Sequence, residues 1–198
     1  MKKLAIMGSG NGSNFEAIVK CLKTRDDIEI TCLSNVEDAY ILERAKKLGV
    51  DYKYLPFNEN LEYFSQNKFD LIALAGYMRV LPDDVLGEMG KVINIHPSLL
   101  PAFKGSVDAI KDAFFAGVKI SGITVHYVNS DVDGGEIIAQ YPAVINIETH
   151  FDEFEEEIHK LEHKLYPVVI EKLLDDKVFD FSDLMKSGCK GSCGGCKH

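Results

Sequence analysis

The chain lacks any apolar run that approaches the roughly 18 residues of a membrane-spanning helix. Its first apolar run, Leu4-Ala5-Ile6-Met7, is too short for the core of a signal peptide and ends at a glycine cluster. Asn11-Gly12-Ser13 matches the glycosylation pattern, but without an export signal that match has no consequence. We therefore expect a cytoplasmic protein that has no membrane partner.

Positive charge is also scarce. The sequence has 22 lysine and arginine residues against 31 aspartate and glutamate residues, which gives a net charge of −9. Non-specific binding to nucleic acid depends on the neutralisation of phosphates by lysine and arginine, so this composition argues against a nucleic-acid partner. A small anionic substrate remains compatible with it, because one local pocket can be positive on an acidic protein.

The five cysteines do not indicate a disulfide framework, because their number is odd and no export signal accompanies them. Cys21 and Cys32 lie in a predicted helix and a predicted strand, where free cysteine usually acts as a small hydrophobic residue. The chain end holds four potential soft-metal ligands, Cys189, Cys193, Cys196 and His198. Because four glycines, Gly188, Gly191, Gly194 and Gly195, lie beside or between them, this end is either a metal- or cluster-binding segment or a mobile or redox-active appendage.

Short apolar runs alternate with amphipathic stretches through the first half of the chain. They predict strands over residues 3–7, 28–34, 51–55, 71–75 and 92–96, with helices over 14–22 and 39–48. Further along, the patterns predict a helix over 106–116, strands over 122–128 and 136–143, and a helix over 152–174.

This alternation implies βαβ units. We predict an α/β fold with a Rossmann-like, mostly parallel twisted sheet that is flanked by helices. The last two strands would be an antiparallel edge addition, although mixed connections fit as well. The length of 198 residues fits one large domain or one domain plus appendages. We divide it into a domain over 1–181 and a Cys/Gly-rich C-terminal tail over 182–198.

The first predicted strand and helix are joined by a glycine-rich loop, Gly8-Ser9-Gly10-Asn11-Gly12-Ser13-Asn14. Such a loop offers backbone N–H groups and the positive end of a helix to an anion. It lacks the lysine of a Walker A loop, and Ser13 stands where a dinucleotide-binding loop needs its third glycine. The loop is either a tight turn with a helix N-cap or a site for a single phosphate group, and its three interleaved glycines favour the phosphate.

Asn94 and His96 end a predicted strand, and Asp133 follows in an Asp-Gly-Gly sequence. Residues two apart in a strand point to the same face, so Asn94 and His96 can converge on one atom. Neither is a strong nucleophile, while both can donate a hydrogen bond to a developing oxyanion. The pattern favours transfer of an acyl-like group between two bound substrates without a covalent enzyme intermediate.

Each of these residues also has a structural interpretation. A lone histidine at a strand end is often only a satisfied polar residue, and Asp-Gly-Gly is strong turn chemistry. His126 fits a structural or supporting role better than a catalytic one. The pairing of His96 with Asn94 at the end of a strand in a parallel sheet, where sites open, favours function there.

From Leu71 to Gln140 the chain resembles the formyltransferase superfamily that uses 10-formyltetrahydrofolate. The sequences that carry the resemblance are Ala-Gly-Tyr-Met-Arg (75–79), Asn-Ile-His-Pro-Ser-Leu-Leu-Pro (94–101), Gly-Ile-Thr-Val-His (122–126) and Asp-Gly-Gly (133–135). The resemblance extends from about Lys2 to Lys172. The loop at 10–14, and an end soon after the catalytic domain, are similar to the members that formylate glycinamide ribonucleotide in purine biosynthesis.

The resemblance implies that Asn94, His96 and Asp133 form a catalytic trio. The amine of glycinamide ribonucleotide would attack the formyl carbon on folate N10, and Asn94 and protonated His96 would bind the oxyanion of the tetrahedral intermediate. Asp133 would favour the protonated imidazole and help to move a proton from the amine to N10.

It further implies a phosphate site at Gly12, Ser13 and Asn14, and a ribose contact from Glu162. The folate pocket would use Arg79, Leu81 and the Val128–Asp133 loop. We expect small-molecule substrates, no metal requirement for catalysis, and a monomer or weak homodimer. Two alternatives stay open: a formyltransferase that acts on another amine, such as an amino sugar nucleotide, or a non-catalytic folate- or nucleotide-binding protein with a metal-carrying tail.

Overall fold

A computed structural model describes residues 1–186. The four candidate metal ligands, Cys189, Cys193, Cys196 and His198, lie outside the described residues. The predicted boundary after residue 181 falls inside a short helix, Phe181–Lys186, whose Leu184 is buried against the core. The division into a domain and a tail stays a prediction.

Within these residues, seven strands form one sheet in the order β3-β2-β1-β4-β5-β6-β7. The first five strands run parallel, and β6 and β7 are antiparallel to their neighbours. This confirms the predicted mostly parallel sheet with an antiparallel edge addition. The strands are β1 Lys2–Met7, β2 Ile28–Ser34, β3 Asp51–Tyr54, β4 Leu71–Leu74, β5 Val92–His96, β6 Ile120–Tyr127 and β7 Ile137–Val144.

Helices cover both faces of the sheet. They are α1 Ser13–Leu22, α2 Tyr40–Leu48, α3 Asn60–Gln66, α4 Asp83–Met89, α5 Ala109–Phe115, α6 Phe151–Leu174 and α7 Phe181–Lys186. The larger hydrophobic core joins one face of the sheet to α1, α2, α5 and α6, and a smaller core joins the other face to α3 and α4. None of the helices in residues 1–186 combines the length and apolarity needed to cross a bilayer.

The predicted helices differ from the structure at four places. The short helices α3, α4 and α7 were not predicted; α4 follows Pro82 and contains Gly87, which interrupts the helical pattern. Helix α5 starts at Ala109 and not at residue 106, because Ser106 Oγ accepts a hydrogen bond from the Asp108 N–H at 3.0 Å and donates one to Asp112 at 2.6 Å. Side-chain bonds of this kind favour a turn over a helix.

Tyr166 connects α6 to the centre of the sheet. Its side chain is fully buried, and its hydroxyl lies 2.9 Å from the Leu74 carbonyl oxygen and 3.2 Å from the Ile93 carbonyl oxygen. Burial holds the pKa of the phenol well above its usual range. The neutral hydroxyl therefore donates to carbonyl groups at the end of β4 and in β5, one residue before Asn94.

We predict that Tyr166→Phe lowers the free energy of unfolding by about 1–3 kcal/mol, because two buried carbonyl groups lose their hydroxyl donor. Urea denaturation followed by circular dichroism measures this change. Tyr52→Phe is the matched control, since Tyr52 lies half-exposed on β3 and its substitution should change stability by less than about 0.5 kcal/mol. Equal effects of the two substitutions would show that the buried hydroxyl contributes nothing.

Candidate active site

One cavity of about 650 Å³ opens beside the carboxyl ends of β1, β4 and β5. Sites in open parallel sheets form at this edge, where the loops after neighbouring strands meet. The cavity is lined by the loops that follow β1 and β4, the end of β5, residues 105–110, the β6–β7 loop and α6. All ten site residues predicted from the sequence line it: Gly12, Ser13, Asn14, Arg79, Leu81, Asn94, His96, Val128, Asp133 and Glu162.

Asn94 and His126 lie directly opposite each other on β5 and β6. The Asn94 amide nitrogen is 3.4 Å from His126 Nε2, and His126 Nδ1 is 2.8 Å from the carbonyl oxygen of Tyr127. Because a carbonyl can only accept, Nδ1 carries the hydrogen and the neutral ring leaves Nε2 as an acceptor. One amide hydrogen of Asn94 therefore points to His126 Nε2, and the other can donate to a ligand. His126 thus lies where a supporting residue would.

The environment of His126 keeps its ring neutral. Its side chain is 2% exposed, and burial lowers its pKa below the ordinary value of 6.5. The Tyr127 carbonyl and the Asp133 carboxylate oppose this shift, and the nearby His96 adds to it. A neutral His126 preserves the acceptor that orients Asn94.

His96 and Asp133 form a second pair in the same corner. Nδ1 of His96 lies 3.4 Å from Asp133 Oδ2, which is an ion-pair separation when the ring is protonated, and both side chains are largely buried. Nε2 of His96 lies 3.2 Å from the carbonyl oxygen of Phe103. Both neighbours accept hydrogen bonds, so a ring nitrogen that carries a hydrogen can donate to the acceptor beside it. The other carboxylate oxygen of Asp133 is 3.7 Å from His126 Nε2.

The Asp-Gly-Gly sequence is a tight turn that aims this carboxylate at both histidines. Asp133 has a φ of 51°, in the left-handed region. A Cβ at Gly134 would lie 2.1 Å from an Asp131 carboxylate oxygen, and one at Gly135 would lie 1.8 Å from the Tyr127 carbonyl oxygen. The turn interpretation therefore does not exclude the site interpretation, since the same turn that requires glycine presents Asp133 to the cavity.

The loop over residues 101–108 covers this corner, a contact that sequence patterns did not indicate. The Gly105 N–H donates to Asp133 Oδ2 at 3.0 Å, and Lys104 forms an ion pair with Asp131 at 2.6 Å. With the Phe103 carbonyl on His96, the loop contacts both members of the pair. The Phe103 carbonyl oxygen thus lies at His96 Nε2, where a ligand oxygen could bind in its place.

At the other end of the cavity, the glycine loop leads into α1. Gly12 has a φ of 77°, and a Cβ there would lie 2.6 Å from Ile41, while a Cβ at Gly8 would lie 2.7 Å from the same side chain. Gly8 and Gly12 are thus required by packing. Helix α1 has no side-chain cap from the described residues, so its first N–H groups remain available to an anion.

Arg44 anchors the glycine loop through Asn11, and no sequence pattern had indicated this contact. Its guanidinium donates to the Asn11 carbonyl oxygen at 2.8 Å and to the Asn11 side-chain oxygen at 2.7 Å, and it pairs with Glu16. It also lies over the Tyr40 ring, 4.9 Å from the centroid. Fixing Asn11 in this way preorganises the loop.

Glu162 reaches the same end from α6. Its side chain is 7% exposed, and Oε2 accepts hydrogen bonds from Asn14 Nδ2 at 3.2 Å and from His159 Nδ1 at 3.0 Å. The Asn14 side-chain oxygen is buried and has no partner within residues 1–186. His159 also lines the cavity and was missed from the sequence, although its place three residues before Glu162 on a helix puts both on one face.

The remaining wall is apolar with one cation. Leu81 is buried in the smaller core, and Val128 packs against the same core. Arg79 lies with its guanidinium carbon 5.4 Å from the Phe57 ring centroid. No group of three or more histidine, cysteine, aspartate or glutamate residues within 1–186 is placed to hold a metal ion.

Comparisons with known proteins agree on one family. The family model described as "Formyl transferase" matches residues 2–170. Phosphoribosylglycinamide formyltransferase of Bacillus subtilis is 47% identical over 187 residues, covering 88% of this chain and 95% of that protein. The Haemophilus influenzae protein of the same name is 39% identical over 183 residues, with 86% of each covered.

Solved structures give the same result for the fold. The crystal structure of phosphoribosylglycinamide formyltransferase from Bacillus halodurans is 35% identical, with a TM-score of 0.81 over 90% of this chain and 100% of that one. Glycinamide ribonucleotide transformylase 1 from Geobacillus kaustophilus is 39% identical, with a TM-score of 0.78 over 88% and 99%.

We predict that His126 and His159 titrate on opposite sides of the ordinary histidine pKa. Burial lowers the pKa of His126, whereas the hydrogen bond to Glu162 raises that of His159. Nitrogen-15 NMR of the imidazole rings measures both pKa values, and His126→Gln and His159→Gln assign the signals. The same spectra should show that neutral His126 carries its hydrogen on Nδ1. As pH falls through about 6.5, the folded state takes up protons at His126 less readily than the unfolded state, so this residue destabilises the fold there. A hydrogen on Nε2 would contradict the assigned orientation of Asn94.

Proposed function

The chain belongs to the formyl transferase family, and we propose that it transfers the formyl group of 10-formyltetrahydrofolate to the amine of glycinamide ribonucleotide in purine biosynthesis. The observation that carries this proposal is the meeting of Asn94, His96 and Asp133 in the same cavity as a glycine-rich helix start. Simple binding would not require that trio.

The two ends of the cavity suit two different substrates. The uncapped start of α1, with Gly12, Ser13 and Asn14, suits the phosphate of the ribonucleotide. The Glu162 carboxylate, beside Asn14, suits the ribose hydroxyl groups as an acceptor. The apolar wall of Leu81 and Val128, with Arg79, suits the folate.

In the proposed mechanism, the amine nitrogen attacks the formyl carbon and a tetrahedral intermediate with an oxyanion forms. The free amide hydrogen of Asn94 donates to this oxygen. The oxyanion also takes the place of the Phe103 carbonyl as the acceptor for His96 Nε2. Donors that are positioned before the reaction stabilise charge without reorganisation, which makes such sites effective.

Proton transfer completes the exchange. The bond from carbon to the amine forms in the tetrahedral intermediate. Collapse of that intermediate restores the carbonyl and breaks the bond from carbon to folate N10, and one proton moves from the amine to N10. Asp133, next to His96, supports the imidazolium and relays this proton through water. Because protonation activates the leaving nitrogen, the chemistry requires no metal. A monomer or weak homodimer in the cytoplasm, with no nucleic-acid or membrane partner, remains our prediction.

A formyl-transfer assay with glycinamide ribonucleotide and 10-formyltetrahydrofolate tests the proposal. We expect turnover by the purified chain, and a loss of about a hundredfold or more in kcat for His96→Ala, which removes one oxyanion donor. Ribonucleotide binding should persist in this variant, because the phosphate and ribose contacts lie at the other end of the cavity. His150→Ala is the matched control, since His150 lies exposed at the start of α6 outside the cavity, and it should keep full activity.

The same assay decides the acceptor. With an amino sugar nucleotide in place of glycinamide ribonucleotide, we expect no turnover. Turnover with the amino sugar nucleotide alone would show that the acceptor is wrong, and a folded chain that is inactive with both would contradict catalysis. Full activity of His96→Ala would contradict the mechanism but not the substrate.

A further inference from the structure

His159 and Glu162 place a proton-carrying pair beside the start of α1. Nδ1 of His159 and Nδ2 of Asn14 both reach the same Glu162 oxygen, at 3.0 Å and 3.2 Å. His159 lines the cavity, its side chain is half-exposed, and the pair leaves its second ring nitrogen unused. A ligand at the start of α1 therefore lies close to both members of the pair.

Glu162 creates an electrostatic conflict at this place. A nearly buried carboxylate lies beside the N–H groups that suit an anion, so a phosphate and Glu162 repel each other. The rest of the cavity does not remove this repulsion. Its described lining includes three further carboxylates, from Asp108, Asp131 and Asp133, and one guanidinium, from Arg79.

Other charged groups lie around the pair, on α6 and on the neighbouring helices. On α6, the charge of Glu155 acts on His159, and the charges of Glu162, of Lys20 on α1 and of Arg44 on α2 act on the neighbouring His163. Lys20 and Arg44 both form ion pairs with Glu16. The pKa of His163 is lowered by burial, which leaves His159 as the residue of this group suited to gain a proton near neutral pH.

We propose that binding of the phosphorylated substrate is coupled to uptake of a proton by the His159–Glu162 pair, so that His159 neutralises Glu162 and helps to select a phosphate-bearing ligand. This inference rests on the proposed function, because it assumes that the phosphate binds at the start of α1. His159 is a binding residue in this role and takes no part in the chemistry at the formyl carbon.

The pKa of His159 supports the same direction. The hydrogen bond to Glu162 raises it above the ordinary value of 6.5, burial opposes that change, and the charges of Glu162 and Glu155 add to it. A phosphate dianion nearby raises it further. Between the pKa of free His159 and that of the bound state, affinity falls as pH rises, because the proton that binding requires becomes scarcer.

The best probe is the formylated product, formylglycinamide ribonucleotide. It keeps the phosphate and ribose but has no titratable amine, and its phosphate is a dianion above about pH 7. Isothermal titration calorimetry in two buffers with different ionisation enthalpies gives the number of protons taken up on binding. The dephosphorylated product, tested in the same way, shows whether the phosphate causes the uptake.

We expect the full chain to take up protons when it binds the product, and to bind it about tenfold more weakly at about pH 9 than at about pH 7, well within the ceiling of about tenfold per pH unit for one linked proton. His159→Gln should bind more weakly than the native chain at about pH 7, equal it at about pH 9, and take up no proton. The dephosphorylated product should bind with little or no proton uptake.

Lys160→Gln is the matched control, because it removes a positive charge from the adjacent position of α6, where Lys160 pairs with Glu156 on the surface. It should keep the proton uptake of the native chain. Uptake that is unchanged in His159→Gln, or binding of the product by the native chain without uptake, would overturn this inference while leaving the proposed function intact. A folded chain that does not bind the product at all would contradict the proposed acceptor, and the inference with it.

Discussion

The reversed pairing of β6 against β5 is the constraint on which the candidate site depends. It places His126 opposite Asn94 and Thr124 opposite His96. Opposite residues in adjacent strands share a face and lie close enough for side chains to interact. At the start of β5, the Val128 N–H donates to the Val92 carbonyl oxygen. Asp133 lies beside His96, at the other end of β5. The β6–β7 loop therefore folds back along β5.

The candidate site of this acidic chain offers an anion local donors in place of net positive charge. They are the first turn of α1, an amide held by a neutral histidine, and histidines paired with carboxylates. In the His96–Asp133 and His159–Glu162 pairs, each carboxylate lies within contact distance of an imidazole. A proton on His159 therefore changes the charge beside the start of α1.

Much of this arrangement was predictable from the sequence, and the reasons are specific. The apolar run that ends in Asn94 and His96 gave the exact limits of β5, and the Gly-rich loop indicated the start of α1. The short helices α3 and α4 lack a long apolar period, so the pattern missed them. The contact between Glu162 and Asn14 joins residues 148 apart, and only the tertiary structure brings them together.

We infer that His126 acts through Asn94 by fixing the direction of its amide. A double-mutant cycle of Asn94→Ala and His126→Ala, measured as the single-turnover rate of formyl transfer, tests it most directly. We predict that His126→Ala slows transfer by about tenfold when Asn94 is present, part of the roughly hundredfold value of one oxyanion donor, and by less than about twofold when Asn94 is absent. The same factor in both backgrounds would contradict the account.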